Sequence, residues 1–472
     1  MLNIGKRAKA KKFHKDNSTL LGEGYSLTDK TLDGKIPLPQ ELYVPDADRS
    51  GHMWCFGTTR VGKTKIIENM VEQDIRKGYS VIVIDPKGEI SLFSKIVQVA
   101  EETGRLKDQL MLMTPICPDC SVQINPLSHY SMSEELVGHV VSGIDIGKEP
   151  FFFNVAYEIS LVIVQAMILV ATKKEAHYRK AFNLNDIKNN VSKDKLKTLQ
   201  EQVDEFQDDP DPQVVDYATQ LSLDMKKIID SPPDYYSKIS SNLRVALMEL
   251  TSGNIGKIVG TARSNKLISK LEKNEPVIFA AHLGAMITRR AASTLGKVII
   301  SMLQSFVGRR LADGGKVTPP LCLYIDEAQD LLYHGIDNFF AKAGGADVWI
   351  HGFAQSVSQL YAKIGKDYGR TILDNTNTKL FMRVPDADTA SYAAEHFGEK
   401  KKYESIFNSD GGITVREQSE DIISPSDILN LKARAFYLMT YGGNYRGKSM
   451  ESSPSNLEVI FPYAGVVGHA GA

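Results

Sequence analysis

Gly57-Thr58-Thr59-Arg60-Val61-Gly62-Lys63-Thr64 follows a short apolar run, Met53 to Phe56, and precedes Lys65 to Lys77, whose residues read as a helix. This is the G-x-x-x-x-G-K-[ST] pattern in the setting it requires, strand before and helix after. The glycines let the chain curl so that successive N–H groups point inward at an anion, and the helix N-terminus adds partial positive charge. In such a loop the Lys63 ammonium reaches the β- and γ-phosphates and the Thr64 hydroxyl holds Mg²⁺. Gly57, Thr58, Thr59, Arg60, Val61, Gly62, Lys63 and Thr64 are therefore the expected cradle for ATP.

The matching half of the site is expected at Leu321 to Glu327. An apolar strand there delivers Asp326, placed to support the Mg²⁺ water shell. Glu327 follows directly and can orient and deprotonate an attacking water. The next strand, Val348 to Phe353, ends near Gln355, whose amide can sense the γ-phosphate or the lytic water. Lys63, Glu327 and Gln355 are the expected catalytic set, Thr64 and Asp326 the expected metal ligands. An arginine is usually set against the transition-state charge. Arg60, Arg289, Arg290, Arg370 and Arg383 are candidates, and the sequence does not choose among them.

The chain has 472 residues and a formal net charge of −1, with 42% hydrophobic and 24% charged residues. That length implies two or three domains. The near-neutral charge excludes a global basic field, so a nucleic-acid partner would meet a local basic surface. Four cysteines make no disulfide framework. Cys55 and Cys322 sit in apolar strands, and Cys117-Pro118-Asp119-Cys120 reads as a turn carrying two thiols. The apolar run Ile159 to Ala171 is short for a membrane span and reads as a buried helix, so no membrane anchor is expected.

Continuous Val81-Ile82-Val83-Ile84 marks a parallel strand buried on both faces, ending in the polar turn Asp85 to Glu89. Leu110 to Met113 is another strand. Helical spacing dominates afterwards, in Ser133–Ile144, Phe151–Thr172, Asp194–Phe206, Gln213–Ile229 and Tyr235–Leu250. The α/β pattern resumes at Pro276 to Ala281, with a helix over Thr288–Ala312 and strands at 379–383 and 436–440. The expected organisation is a basic tail (1–17), a nucleotide-binding domain in two pieces (18–127 and 266–450), an all-α domain between them (128–265), and a loosely ordered end (451–472).

Gly57 to Thr64, Asp85-Pro86-Lys87-Gly88-Glu89, Ile124-Asn125-Pro126-Leu127, Ile325 to Gln329 and Ala354-Gln355-Ser356 occur in that order. This set resembles the type IV secretion coupling proteins, the TraD/TraG-type conjugation ATPases of the FtsK/HerA superfamily. Gln73-Asp74-Ile75-Arg76, Leu20 to Tyr25 and Ala343 to Ala346 resemble the TraD of integrative conjugative elements. The resemblance implies a RecA-like P-loop NTPase domain of α/β class, its sheet mainly parallel, with an inserted all-α domain. It implies a homo-hexameric ring that receives relaxase-bound single-stranded DNA, or protein, and drives it into a type IV secretion channel at the cytoplasmic face of the inner membrane. Relatives usually carry N-terminal transmembrane helices, so an anchor supplied by a partner, or removed, is part of the expectation. The alternatives are an ATP-switched docking platform and another FtsK/HerA-type DNA translocase.

Overall fold

The computed structural model describes residues 17–27, 37–144, 150–173, 182–407 and 413–461. Among these lie β1 (Ser18–Ser26), β2 (Gln40–Pro45), β3 (Met53–Phe56), β4 (Ser80–Asp85), β5 (Leu110–Met113), β6 (Ile278–His282) and β7 (Leu321–Ile325). They are followed by β8 (Val348–Ala354), β9 (Thr378–Phe381), β10 (Glu399–Phe407), β11 (Ile413–Asp421), β12 (Ala435–Thr440) and β13 (Gly443–Ser449). Eleven of them form one sheet in the order β2-β1-β13-β12-β9-β3-β8-β7-β4-β6-β5. From β9 to β5 every pairing is parallel. From β9 outward to β2 every pairing is antiparallel.

Every residue of β3, β4, β6, β7 and β8 is buried, as continuous apolar runs demand when helices cover both faces. Successive residues of β3 feed opposite cores. Trp54 and Phe56 join the larger one, with the helix Ala285–Ala312 and the helices between Ser133 and Thr251, and Met53 and Cys55 join the other, with the helices Lys63–Arg76 and Ile90–Glu102. The Trp54 indole lies over Gly352 of β8, where a Cβ would come within 2.7 Å of the ring.

The stretch after Ser128 is helical in Ser133–Val141, Phe151–Lys173, Leu184–Asn190, Lys193–Asp204, Pro212–Ile229, Pro233–Ile239 and Ser241–Thr251. Phe151 to Glu158 prolong the apolar run that the sequence suggests begins at Ile159. The resulting helix is long and apolar enough to cross a membrane by length and composition, and 44% of that stretch is buried. Thr288–Ala312 passes the same test with 72% buried. The core helix of a soluble protein passes it as well, so neither helix by itself marks a span.

Three other expectations change. Cys117 and Cys120 are joined in a disulfide; the short 3₁₀ turn over Pro118–Cys120 brings their Cα atoms to 5.3 Å, within bridging range. Residues 451–461 lie along the helices Lys63–Arg76 and Ile90–Glu102 instead of hanging loose, and the rest of that expected loose end, 462–472, lies outside the described residues. The Asn456 N–H donates to Gln98 Oε1 (2.8 Å), and Phe461 stacks on Phe93 at 5.6 Å. The helix expected from Thr288 begins at Ala285, with a non-helical kink at Thr288. The basic tail falls on residues 1–16, outside the described residues, apart from Asn17.

Behind the sheet's ligand edge sits a buried charge cluster. Arg49, fully buried, donates from Nη1 and Nη2 to both carboxylate oxygens of Asp74 (2.8 and 2.6 Å), and to Thr19, Asp46 and the Tyr324 hydroxyl. Its Nε donates to His351 Nε2 (3.2 Å), while His351 Nδ1 faces the Leu323 carbonyl, the arrangement of a neutral imidazole. Burial, then the Arg49 charge, hold His351 well below the ordinary histidine range. Burial alone would raise Asp74, but Arg49 and Lys77 pull it down to about 2. The cluster ties the helix Lys63–Arg76, through Asp74, to β7 and β8, whose far ends carry Asp326 and Gln355.

Candidate nucleotide site

β3 runs into the loop at the C-terminal edge of the parallel strands, where open α/β sheets collect ligands. Gly57 N–H bonds Ala354 O (3.2 Å) and Thr58 N–H bonds Arg383 O (2.8 Å), so the loop is seated between β8 and the end of β9. Gly62 caps the helix Lys63–Arg76 with φ +110°, a conformation that only glycine adopts without strain. Arg60 has φ +62° and is exposed, as is Thr59, while Val61 is buried and accepts the Arg434 N–H at its carbonyl (2.9 Å). The Lys63 ammonium turns back over the loop and donates to the carbonyls of Gly57 and Thr58, the latter at 3.3 Å. Those carbonyls stand where phosphate oxygens would compete for the same donors.

β7 and β4 bring carboxylates to this edge. Asp326 N–H bonds Ile84 O (3.0 Å), fixing the Asp326-Glu327 pair beside Asp85. Asp85 accepts the N–H groups of Gly88 (2.8 Å) and Glu89 (2.6 Å), which folds the turn so that Glu89 takes the Thr64 hydroxyl at 3.2 Å. Burial, with the charges of Asp85 and Glu327, pushes Asp326 up to about 7, and Lys63 opposes the rise. Burial raises Asp85 too, against its two N–H bonds. Carboxylates crowded beside a serviceable hydroxyl are what a divalent cation relieves. Among the described residues no group of three or more His, Cys, Asp or Glu could hold a metal by itself. The donor set fits Mg²⁺, which binds through one or two carboxylates plus phosphates.

Glu327 adopts a left-handed backbone, φ 42° and ψ 46°. Its carboxylate accepts from Gln329 Nε2 (2.7 Å) and from Gln355 Nε2 (3.3 Å). The structure therefore brings Lys63, Thr64, Asp326, Glu327 and Gln355 to one edge. Of the arginines, Arg60 lies within the loop and Arg383 beside it, its carbonyl accepting the Thr58 N–H. Arg289 and Arg290 lie at the start of the helix Ala285–Ala312, paired with Asp330 and Glu249, and Arg370 lies against Tyr361. Glu89 was not among the expected site residues. Its signal was the turn sequence itself, an aspartate ending a buried strand with N–H donors three and four residues on.

β8 lies between β3 and β7, so the loop strand and the Asp-Glu strand are separated by one strand. This order, with the loop and the acidic pair at its edge, defines a P-loop NTPase fold of RecA-like type carrying an all-α domain. Residues 320–433 match the family model described as the TraM recognition site of TraD and TraG. The type 4 coupling protein DotL of Legionella pneumophila is 30% identical over 73 residues, which are 16% of this chain and 9% of the relative. The chain thus spans under a tenth of that curated relative's length in the match. The unbound bacterial conjugative coupling protein TrwB, in its ΔN70 form, superposes with a TM-score of 0.65 at 14% identity, covering 88% of each chain. TrwB in complex with ADP and Mg²⁺ gives 0.62, also at 14% identity, covering 93% of this chain and 95% of that one. These likenesses agree with the resemblance to TraD/TraG-type type IV secretion coupling proteins carried by the ordered motifs.

Proposed function

We propose that the chain is an ATP-hydrolysing coupling protein that recruits relaxase-bound single-stranded DNA, protein substrates, or both, and drives them into a type IV secretion channel. The observation that carries the chemistry is the convergence of Lys63, Thr64, Asp326, Glu327 and Gln355 at one sheet edge, with Gln355 bonded to Glu327. On this reading Lys63 leaves the Gly57 and Thr58 carbonyls for the β- and γ-phosphates. The loop N–H groups and the Gly62-capped helix hold the phosphates in place. Thr64 and Asp326 would hold Mg²⁺, which would supply positive charge against the charge developing on the γ-phosphoryl group. Glu327 orients the attacking water and takes its proton. Gln355, at the end of β8, reports the occupancy of the γ position to the helix Val357–Ile364 that follows it.

The solved TrwB complexes with ADP and Mg²⁺, and with an ATP analogue, support the choice of nucleotide and metal. Action as a homo-hexamer with ATP at subunit boundaries, in which a neighbour supplies the arginine, belongs to the same proposal. So does placement at the cytoplasmic face of the bacterial inner membrane, through an anchor of its own or a partner's. The match of residues 320–433 to a partner-recognition model supports docking of relaxosome components on that part of the chain.

Steady-state ATP turnover with and without single-stranded DNA tests the reading. Wild type should turn over ATP faster with DNA, and Lys63→Ala and Glu327→Gln should abolish turnover while keeping the melting profile. DNA-independent turnover would favour the ATP-switched platform. Wild-type rates in either variant, free of contaminating ATPase, would overturn the site assignment.

A further inference from the structure

A cleft of about 340 Å³ lies between the helix Ala285–Ala312 and the helical region, lined by Arg289, Arg290, Lys297 and Lys363 with the carboxylate Asp330, and Glu249 pairs with Arg290 beside it. A chain of net charge −1 thus gathers four basic side chains at one cavity. Arg289 and Arg290 are each 74% exposed at the side chain and Lys363 47%. Their pairs, Arg289–Asp330 at 3.4 Å, Lys363–Asp330 at 3.2 Å and Arg290–Glu249 at 2.5 Å, lie near the surface. Exposed ion pairs contribute little and exchange readily for another anion. Met286, 88% exposed, stands beside them at the kinked start of the helix and offers an apolar surface to a base.

The cleft is wired to the nucleotide site from two sides. Ala285 N–H bonds Pro86 O (2.6 Å) and Leu283 N–H bonds Asp85 O (3.0 Å), in the turn that sets Glu89 on Thr64. Asp330 lies three residues past Glu327, and its carbonyl accepts the Ser293 hydroxyl (2.6 Å) while its carboxylate holds Arg289 and Lys363.

We infer that this cleft grips the phosphate backbone of single-stranded DNA, with Arg289, Arg290 and Lys363 as the phosphate contacts. Asp330 competes with the phosphates for the same cations, so a shift of the Glu327–Asp330 turn changes the grip. The inference rests on the reading of the chain as a DNA-handling coupling protein and names the surface that reading needs.

The test is fluorescence anisotropy of a labelled oligo-dT strand over a salt series, using the full chain. Arg289→Gln/Arg290→Gln/Lys363→Gln should bind roughly a hundredfold more weakly near 0.1 M salt, and the slope of log K against log salt should fall by about 2, three lost contacts at ~0.7 each. The melting temperature should stay unchanged. Arg289→Lys/Arg290→Lys should keep the slope, and Lys195→Gln/Lys197→Gln, on an exposed helix face, should change nothing. A triple variant that binds within twofold of wild type at unchanged slope overturns the inference and leaves the proposed function standing. Equal affinity for a duplex overturns the single-strand assignment. Wild type that binds no DNA while hydrolysing ATP overturns both the inference and the DNA half of the proposed function.

Discussion

Replacing Arg49 by methionine removes the guanidinium at the centre of the buried cluster behind the nucleotide site, while keeping much of its volume. Asp74 is fully buried and loses a two-pronged ion pair at 2.8 and 2.6 Å, and Tyr324 and His351 lose a donor. Breaking a buried pair by removing one partner costs about 3–5 kcal/mol, because the remaining charge stays in a poorly polarisable interior. A domain of this size shifts about 2–4 °C per kcal/mol, so the nucleotide-free α/β transition should fall by roughly 6–20 °C. The sign of the pH effect follows from Asp74. In wild type its acid constant is pulled from 3.8 to about 2. It therefore contributes about 2 kcal/mol that is fully present above pH ~4 and is lost as pH falls through ~2. Without Arg49 the buried carboxyl rises above its unfolded value instead. The variant's deficit should then be largest near pH 7.5 and narrow toward pH 5. Arg49→Met/Asp74→Asn, which removes the orphaned charge, should recover about 1–2 kcal/mol of the loss. Scanning calorimetry or dye-monitored melting at both pH values measures this. A single variant within 2 °C of wild type at pH 7.5, or a deficit that does not shrink with acid, would refute the electrostatic reasoning.

Asp326→Asn should remove Mg²⁺-dependent nucleotide binding yet raise the melting temperature of the metal-free protein at pH 8. Ionised Asp326, whose folded value is about 7, costs stability as pH climbs from about 4 through 7, so the gain should vanish near pH 4 and a loss at pH 8 would count against it. Gly62→Ala meets no steric obstacle nearer than 3.5 Å but must hold φ +110°. The strain, about 1–3 kcal/mol, should appear as a tenfold or greater loss of nucleotide affinity by fluorescence titration, with little change in melting. Gly352→Val places a Cβ within 2.7 Å of the Trp54 ring and should cost about 1–3 kcal/mol by overpacking, read as a lower denaturation midpoint; an unchanged midpoint would show that the indole can move aside.

The parallel half of the sheet was legible because strands buried on both faces leave unbroken apolar runs, as in Val81 to Ile84 and Leu321 to Ile325. The loop, the Asp-Glu pair and Gln355 were legible because their chemistry needs those residue types at strand ends. Of the antiparallel half only β12 was, as the apolar run Phe436 to Thr440. Ser18–Ser26 is broken by glycines whose Cβ positions are filled by the β13 backbone, and Gly443–Ser449 is mostly polar, so neither has a clear strand pattern without its neighbour. The hairpin β10–β11 is rich in charge and pairs only with itself. Nothing local in the sequence marks Arg49 as buried, because its partners, Asp74, Tyr324 and His351, lie 25 to 302 positions away.

The antiparallel edge also orders events in time. The Arg434 N–H holds the phosphate loop at Val61, β12 covers the open side of β9, and β1 pairs with β13. A ribosome adding about 5–20 residues per second needs roughly 20–75 s to travel from Val61 to Arg434. For that interval a nascent chain carries its phosphate loop unsealed and β9 as a bare strand edge. Chains released before that point should be nucleotide-incompetent and prone to aggregate.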